Sequence, residues 1–544
     1  MTTRAAVADA LREARESWRP RATLAAVAFA VAAFAPLVVG ESRVADLAGG
    51  LYLACAAVGL AFTVGIAGLP LLSQGAFMAV GAVAAAHLGS TALGAVAGAT
   101  AGGLAGAAVG AAFARLPRAG FAAATWIVSW LVAFALQSLS WPLGGARGIV
   151  IAGGPSPAQH YELALGLTLL AVLGFVALAR APIGLQLAAA REREAAAAAL
   201  RVPVARLRMI ATAASGAVAG LAGALAVHLA GVGDPSTYGS FLSFKLFVVV
   251  LIGGALSALG AVAGVIVLGV LSLTADAIGS LENVAASRAH TLLAAFMLLG
   301  VVSLGWEGIV RPGRHVRRSQ QGAGPDRRPQ SSLKARGLAK RYGNVVAAED
   351  VSFDVEAGQI TALVGPNGSG KTTVLRMLAG TVPPDAGRIE ADPGATARTL
   401  QATAVFPSLT PLEHLLAASA GRRNHAGFLR SLLSTPQLRA EDARFAGWAE
   451  DVLDRFGLPR NTPAGELPVI DQRALMLAAA YATGASVLRV DEPTAGASHG
   501  EAERIGDLLR SLRVEGLALL VVEHNVGLVQ RLADQVLVLE EGRL

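Results

Sequence analysis

Gly365-Pro366-Asn367-Gly368-Ser369-Gly370-Lys371-Thr372 follows the apolar run Ile360-Thr361-Ala362-Leu363-Val364 and leads into a helical stretch from Thr373 to Leu378. A buried strand that turns through G-x-x-x-x-G-K-T into a helix is the context in which this pattern holds phosphate. The glycines let backbone N–H groups crowd round the β- and γ-phosphates, Lys371 adds a point charge, and the Thr372 hydroxyl is placed to ligate Mg²⁺. Pro366, Asn367, Ser369 and Thr373 complete the expected nucleotide-binding set. A chance match becomes rare once the pattern must sit between a strand and a helix. The segment is expected to bind a nucleoside triphosphate.

Such a ligand still needs its base held, its metal completed and its attacking water activated. Tyr342, in the turn Lys340-Arg341-Tyr342-Gly343, can stack on the base, although an aromatic in a turn is also ordinary packing. The run Val487-Leu488-Arg489-Val490-Asp491-Glu492 predicts a buried parallel strand ending in two carboxylates before Pro493. Asp491 can then hold the metal shell, and Glu492 can orient and deprotonate the water. The next strand, Leu519-Leu520-Val521-Val522, ends at Glu523-His524-Asn525, and a His at a strand's carboxyl end can reach the γ-phosphate of a ligand in the neighbouring crevice. Gln401 follows Arg398-Thr399-Leu400, leads into a more helical region over about 410–480, and is a third candidate metal contact. Arg489 is an unexpected charge within its strand and receives no role at this level.

Upstream the composition changes. Between Ala22 and Ala179 the only Asp, Glu, Lys or Arg residues are Glu41, Arg43, Asp46, Arg115, Arg118, Arg147 and Glu162, whereas residues after about 311 have the composition of a soluble domain. The first part reads as membrane and the second as aqueous. The formal charge of +7 comes with arginines clustered beside apolar runs, which is the positive-inside pattern rather than a nucleic-acid footprint. The single cysteine, Cys55, lies in an apolar run and excludes disulfide and metal-cluster schemes.

Residues 1–21 carry several arginines ahead of an apolar run to Gly40, and are expected to stay in the cytoplasm before an uncleaved first helix. Further apolar stretches lie near 47–67, 75–88, 91–113, 119–139, 161–179, 207–231, 241–256, 258–276 and 290–306. If the basic loops at Arg115/Arg118, Arg180 to Arg208 and beyond Arg311 are all cytoplasmic, spans between markers must be even in number. The set gives four, two and four, hence about ten crossings. A merged pair near 241–276 or a re-entrant piece near 69–75 would alter that count. The spans are rich in Ala and Gly, as in Ala97-Gly98-Ala99, Gly102-Gly103 and Gly216 to Gly223. Close helix packing in lipid and a merely alanine-rich composition both account for this. Residues 180–208, with Arg191-Glu192-Arg193-Glu194 and an alanine run to Leu200, predict a short cytoplasmic helix, either a solvated connector or a surface that a motor domain pushes. Residues 311–332 read as a flexible cytoplasmic linker.

The order Tyr342, Gly365 to Thr372, Gln401, Asp491-Glu492 and His524 resembles the ATPase domain of ATP-binding-cassette transporters over nearly all of 333–544. Ala397-Arg398-Thr399-Leu400-Gln401 with Val405-Phe406-Pro407-Ser408-Leu409-Thr410 is similar to the ATPases of branched-chain amino acid uptake systems. Gly68 to Gly81, Arg180-Ala181-Pro182-Ile183-Gly184, Arg191 to Glu194 and Ser215 to Gly223 resemble the permeases of that family. The resemblance implies a polytopic α-helical membrane bundle over 1–310, then an α/β P-loop ATP-binding-cassette domain over 333–544. It also implies ATP and Mg²⁺ as cofactors and a coupling helix within 180–208. The implied partners are a second permease, a second ATPase and an extracytoplasmic substrate-binding protein. Plasma-membrane placement with the ATPase in the cytoplasm follows.

Two stretches depart from the family. Where it carries a Leu-Ser-Gly-Gly-Gln signature or a close variant, this chain reads Leu467-Pro468-Val469-Ile470-Asp471-Gln472-Arg473, and Ala495-Gly496-Ala497-Ser498 lacks the usual aspartate. Pro468 has no N–H, and Val469 and Ile470 add bulk where backbone must approach phosphate. The expectation is a heterodimer with one hydrolysing and one impaired ATP site. A non-transporting, ATP-sensing membrane regulator is the alternative. Cargo is not legible: Ser73-Gln74 and Ser215 can bond between helices or touch a ligand.

Overall fold

The computed structural model describes residues 40–139, 148–151, 154–282, 331–392, 395–399, 404–420 and 436–544. By internal contacts these divide into two units. The first holds the described residues of Met1–Arg191 and Ala205–Val316, and the second those of Glu192–Val204, Arg317–Arg430 and Ser434–Leu544.

The first unit is helical: α1 (Glu41–Ala61, running into a π turn at Phe62–Ile66), α2 (Gln74–Ala86), α3 (Thr91–Phe113), α4 (Arg118–Ser138), α5 (Pro157–Arg180) and α6 (Pro182–Glu192). After α7 (Glu194–Ala199), which groups with the second unit, come α8 (Val204–Ala230), α9 (Ser240–Gly253) and α10 (Ala258–Glu282). A short ribbon pairs β1 (Ile149–Val150) with β2 (Val232–Gly233). Ser156 and Gln159 form a capping box that starts α5 immediately before the N1 proline, Pro157.

Five stretches among the described residues are long and apolar enough to cross a bilayer: 43–66, 91–113, 118–138, 157–180 and 204–230. The α9–α10 pair is bent by 116° and adds at most one more, so these residues support five or six spans and do not establish ten. The apolar runs ending near Gly40 and at 290–306 lie outside the described residues. The run at 75–88 forms a helix of only 13 residues, about 20 Å at 1.5 Å per residue, against a hydrocarbon core of about 30 Å. Hydropathy counts apolar residues but does not register a chain break. One such break precedes α2 through Ala67–Ser73, and another follows α9 at Gly254, whose φ is +111°.

The small residues prove to be packing sites. A Cβ at Gly102 of α3 would lie 2.2 Å from the Gly216 carbonyl oxygen of α8, and one at Gly220 of α8 would lie 2.2 Å from that of Gly98. Gly81 of α2 also meets the Gly220 carbonyl, where a Cβ would stand 2.0 Å away. Backbone thus rests on backbone across α2, α3 and α8, the arrangement small residues permit in lipid. The buried polar residues mostly tie helices together. Gln74 Nε2 donates to the Ala56 carbonyl at 2.8 Å and its Oε1 accepts from Ser215 at 3.0 Å, while the Gly75 N–H is capped by Ser243 Oγ at 2.9 Å. The buried Ser73 hydroxyl has no partner.

The second unit carries an antiparallel sheet in the order β4-β3-β6, from β3 (Leu333–Tyr342), β4 (Val345–Val355) and β6 (Ala386–Glu390). A parallel sheet runs β10-β5-β9-β8-β7, from β5 (Ile360–Val364), β7 (Thr396–Arg398), β8 (Val487–Asp491), β9 (Ala518–Val522) and β10 (Gln535–Val538). The innermost strand, β9, is apolar throughout, as burial on both faces demands. The helices are α11 (Lys371–Leu378), α12 (Pro411–Ser419), α13 (Pro436–Arg455), α14 (Val469–Ala482), α15 (His499–Val514) and α16 (Val526–Leu532). One core joins Leu333, Val351 and Phe353 of the antiparallel sheet to Val374 and Met377 of α11 and Leu520 of β9. Within this unit the Glu192 carboxylate accepts from the Ser408 N–H at 3.1 Å and from the Ser408 hydroxyl.

Candidate active site

Three neighbouring parallel strands end in register. Leu363 of β5 pairs with Val522 of β9, which pairs with Asp491 of β8, so the segments that follow emerge together at one sheet edge. That edge is where open α/β sheets bind ligands. From β5 comes the loop Gly365 to Gly370, from β9 the turn with His524, and from β8 the pair Asp491-Glu492.

The loop's shape depends on glycine at two points. Gly370 has φ +103°, and a Cβ there would sit 2.0 Å from the Ala347 carbonyl oxygen. Gly365 would place a Cβ 2.1 Å from the Leu539 carbonyl oxygen. Pro366, Asn367 and Gly368 are exposed, and Thr372 and Thr373 stand in the first turn of α11, which begins at Lys371 rather than at Thr373 as the sequence suggested. Lys371 Nζ donates to the carbonyls of Gly365 (2.9 Å) and Pro366 (2.8 Å), which aims the ammonium into the loop's own concavity. Burial lowers the Lys371 pKa while Glu492 and Asp491 oppose that shift. The buried Ser369 hydroxyl has no protein partner, leaving a polar atom inside the cradle for a phosphate oxygen.

Glu492 lies 3.2 Å from His524, Oε1 to Nε2. Its backbone holds φ +46°, a conformation rare for a side-chain-bearing residue, and its N–H is tied to the Val522 carbonyl at 2.8 Å. Asp491 is 4% exposed, and burial raises its pKa against the opposing pull of Arg398, whose Nη2 is 2.9 Å from Oδ2. A hydroxyl at a helix start and a buried carboxylate at a strand end form the all-oxygen donor set that a hard dication takes, so Thr372 and Asp491 fit Mg²⁺. Gln401 lies outside the described residues.

Tyr342 is not in a turn. It is the last residue of β3, 47% exposed, and the turn follows at Gly343. Arg489 is 5% exposed and stands opposite Arg398 in the β7–β8 register. Burial, then Arg398, brings its pKa down to about 10, so it stays charged at neutral pH, and its Nε and Nη1 have no partner.

The altered signature forms the start of α14, with Pro468 as N-cap and no side-chain cap. Val469 is exposed, while the Asp471 carboxylate in the first turn pairs with Arg504 at 2.7 Å. Arg473 reaches from the same turn to the carbonyls of Pro493 and Ala495. Sequence reading passed over Arg398, Arg473, Thr494 and Glu523. Position beside a motif was the one available signal, because the groups they meet across the fold lie 20 to 93 residues away.

Residues 348–495 match the ABC transporter family, and residues 46–304 match the permease component of branched-chain amino acid transport systems. The chain is 33% identical over 226 residues to the high-affinity branched-chain amino acid transport ATP-binding protein BraF of Pseudomonas aeruginosa, a match that takes in 88% of that protein and 39% of this one. The chain belongs to the ATP-binding-cassette transporters. It joins a permease of the branched-chain amino acid type to an ATPase domain in one polypeptide. The ribose import ATP-binding protein RbsA of Rhodococcus jostii is 32% identical over 226 residues, 39% of this chain and 42% of that protein. Among solved structures, a nucleotide-free ATP-binding cassette from an ABC transporter aligns with 25% identity and a TM-score of 0.34, covering 39% of this chain and 89% of its own. In this transporter chain the ATPase half therefore binds ATP and couples its hydrolysis to transport.

Proposed function

We propose that this chain is one half of an importer for small polar organic solutes, branched-chain or related amino acids foremost, working as a heterodimer with an unequal pair of ATP sites. The observation that carries it is the placement of Glu492 against His524 at the edge that also bears the phosphate loop, in a chain whose signature segment lacks the residues to complete a second such site.

In this reading Lys371, the loop N–H groups and the Ser369 hydroxyl hold the triphosphate, and Tyr342 stacks on the adenine. Thr372 and Asp491, with Gln401, would hold Mg²⁺, which would supply positive charge against the phosphates. Glu492 accepts a proton from water as its oxygen attacks the γ-phosphorus and the bond to the ADP oxygen breaks. His524 contacts the γ-phosphate and stays beside Glu492. The signature facing this site comes from the partner ATPase. The partner's nucleotide faces Pro468 to Asp471, a helix start with no proline N–H and a carboxylate in its first turn, so that site hydrolyses poorly.

ATP closure of the ATPase pair then displaces the 180–208 segment, and the bundle alternates its opening. The grouping of Glu192–Val204 with the ATPase unit and the Glu192–Ser408 hydrogen bonds support that role for the segment. The domain limits 1–310, 311–332 and 333–544, a cytoplasmic N-terminus and ATPase, plasma-membrane placement, and a secreted binding protein belong to the same reading. The test is ATPase activity in liposomes. The assembled transporter should hydrolyse ATP faster when binding protein and solute are added, Glu492→Gln should abolish turnover, and the lone chain should be nearly inactive. Vigorous hydrolysis by the lone chain overturns the heterodimer. Hydrolysis indifferent to solute favours the ATP-sensing regulator.

A further inference from the structure

Glu523, one residue before His524, has no assigned role, yet it is 3% exposed and accepts four hydrogen bonds. Its Oε1 takes the Thr494 N–H at 2.8 Å and the Thr494 hydroxyl, and its Oε2 takes the N–H groups of His524 at 2.8 Å and Asn525 at 3.2 Å. Thr494 stands two residues after Glu492, so one carboxylate fastens the segment leaving β8 to the segment leaving β9. Those are the segments that carry Glu492 and His524. A φ of +46° at Glu492 is rare for a residue with a side chain and persists only where the surroundings impose it. The Glu523 tie, with the Glu492 N–H bond to Val522, supplies that constraint.

We infer that Glu523 is a positioning residue for hydrolysis: it sets the separation and orientation of Glu492 and His524 without touching the nucleotide. This rests on the reading of those two as the hydrolytic pair. A carboxylate is the group suited to this place, because it only accepts. A glutamine of the same shape would turn an NH₂ toward one of the two pairs of donors and break that side of the tie. The phosphate loop lies on another strand and keeps its own supports at Ala347 and Leu539, so nucleotide affinity should be spared.

The test is steady-state ATPase of the assembled transporter, with binding of a fluorescent ATP analogue measured alongside. Glu523→Gln should lower kcat by about tenfold or more and leave KM for ATP and analogue binding within about twofold. Thr494→Val should lower kcat by a few-fold, Thr494→Ser should restore it, and the Glu523→Gln/Thr494→Val double variant should be no slower than Glu523→Gln alone. If Glu523→Gln does not accumulate, Thr494→Val against Thr494→Ser carries the same comparison. The inference fails if kcat of Glu523→Gln stays within twofold of wild type, if analogue binding is lost in step with kcat, or if the two substitutions add. Turnover that survives Glu492→Gln would remove the hydrolytic reading itself. Turnover abolished by Glu492→Gln but untouched by Glu523→Gln would remove only the role of Glu523.

Discussion

The carboxyl edge of the parallel sheet and the helical segment from Pro411 to Ala482 make opposite compromises. At the sheet edge the phosphate loop, Asp491, Glu492 and His524 emerge together, yet the strand supplying Asp491 buries Arg489 with two nitrogens unpartnered. Among its described side chains, at 411–420 and 440–482, the helical segment leaves no buried nitrogen or oxygen without a partner. Its buried His414 donates from Nδ1 to the Thr410 carbonyl, accepts the Phe406 N–H at Nε2 and stacks on the Phe406 ring. But the end of it that should meet a nucleotide, Pro468 to Asp471, offers no phosphate cradle. One region leaves buried nitrogens unpartnered beside a carboxylate; the other pairs both ring nitrogens of its buried histidine.

The largest effect should come from cutting the sheet edge. Lys371→Ala should reduce turnover of the assembled transporter about a hundredfold or more and weaken analogue binding, because the loop's point charge goes with it. Retained binding and turnover would place the working site elsewhere. Rebuilding the other region is the converse. Pro468→Ser with Val469→Gly and Ile470→Gly should raise the ATPase rate of the lone chain by about thirtyfold, as donors return to the start of α14. No gain would show that the segment is not what limits the lone chain.

His414 sharpens the contrast through pH. Burial lowers its pKa to about 4, with the Thr410 carbonyl bond opposing, so the unfolded chain binds the proton more tightly than the folded one. The stability it contributes is complete above about pH 6.5 and is lost as pH falls towards 4, by about 2 kcal/mol between pH 7 and 5. Thermal unfolding should fall more steeply with acidity in the wild type than in His414→Gln, and equal slopes would refute this. The smallest effect is expected at Arg489. Arg489→Leu removes a buried guanidinium with two unpartnered nitrogens and should raise stability by about 1 kcal/mol while leaving analogue binding unchanged. A large loss of stability would mean that the guanidinium is paired in a way its surroundings do not show.

Much of the ATPase half was legible because its signals are local. The run Ile360 to Val364 is β5 residue for residue, and β8 covers Val487 to Asp491, ending one residue before Glu492. What escaped was non-local. Glu523 is unremarkable until β9 brings it against Thr494, and Tyr342 moved from turn to strand because the pairing of β3 with β4 runs to Val345. In the membrane half, hydropathy found where apolar chain lies but could not distinguish a crossing from a half-length helix such as α2. Nor could it tell glycine used at a seam from glycine that is merely abundant.

That seam has a consequence for motion. Helices cushioned by leucines can creep past one another as rotamers adjust, but α2, α3 and α8 meet through bare main chain, and a few ångströms of slip would drive a methyl into a carbonyl. The trio therefore behaves as a single rib, and any stroke of this bundle must bend or swing around it, with the give taken up at the broken joints before α2 and after α9.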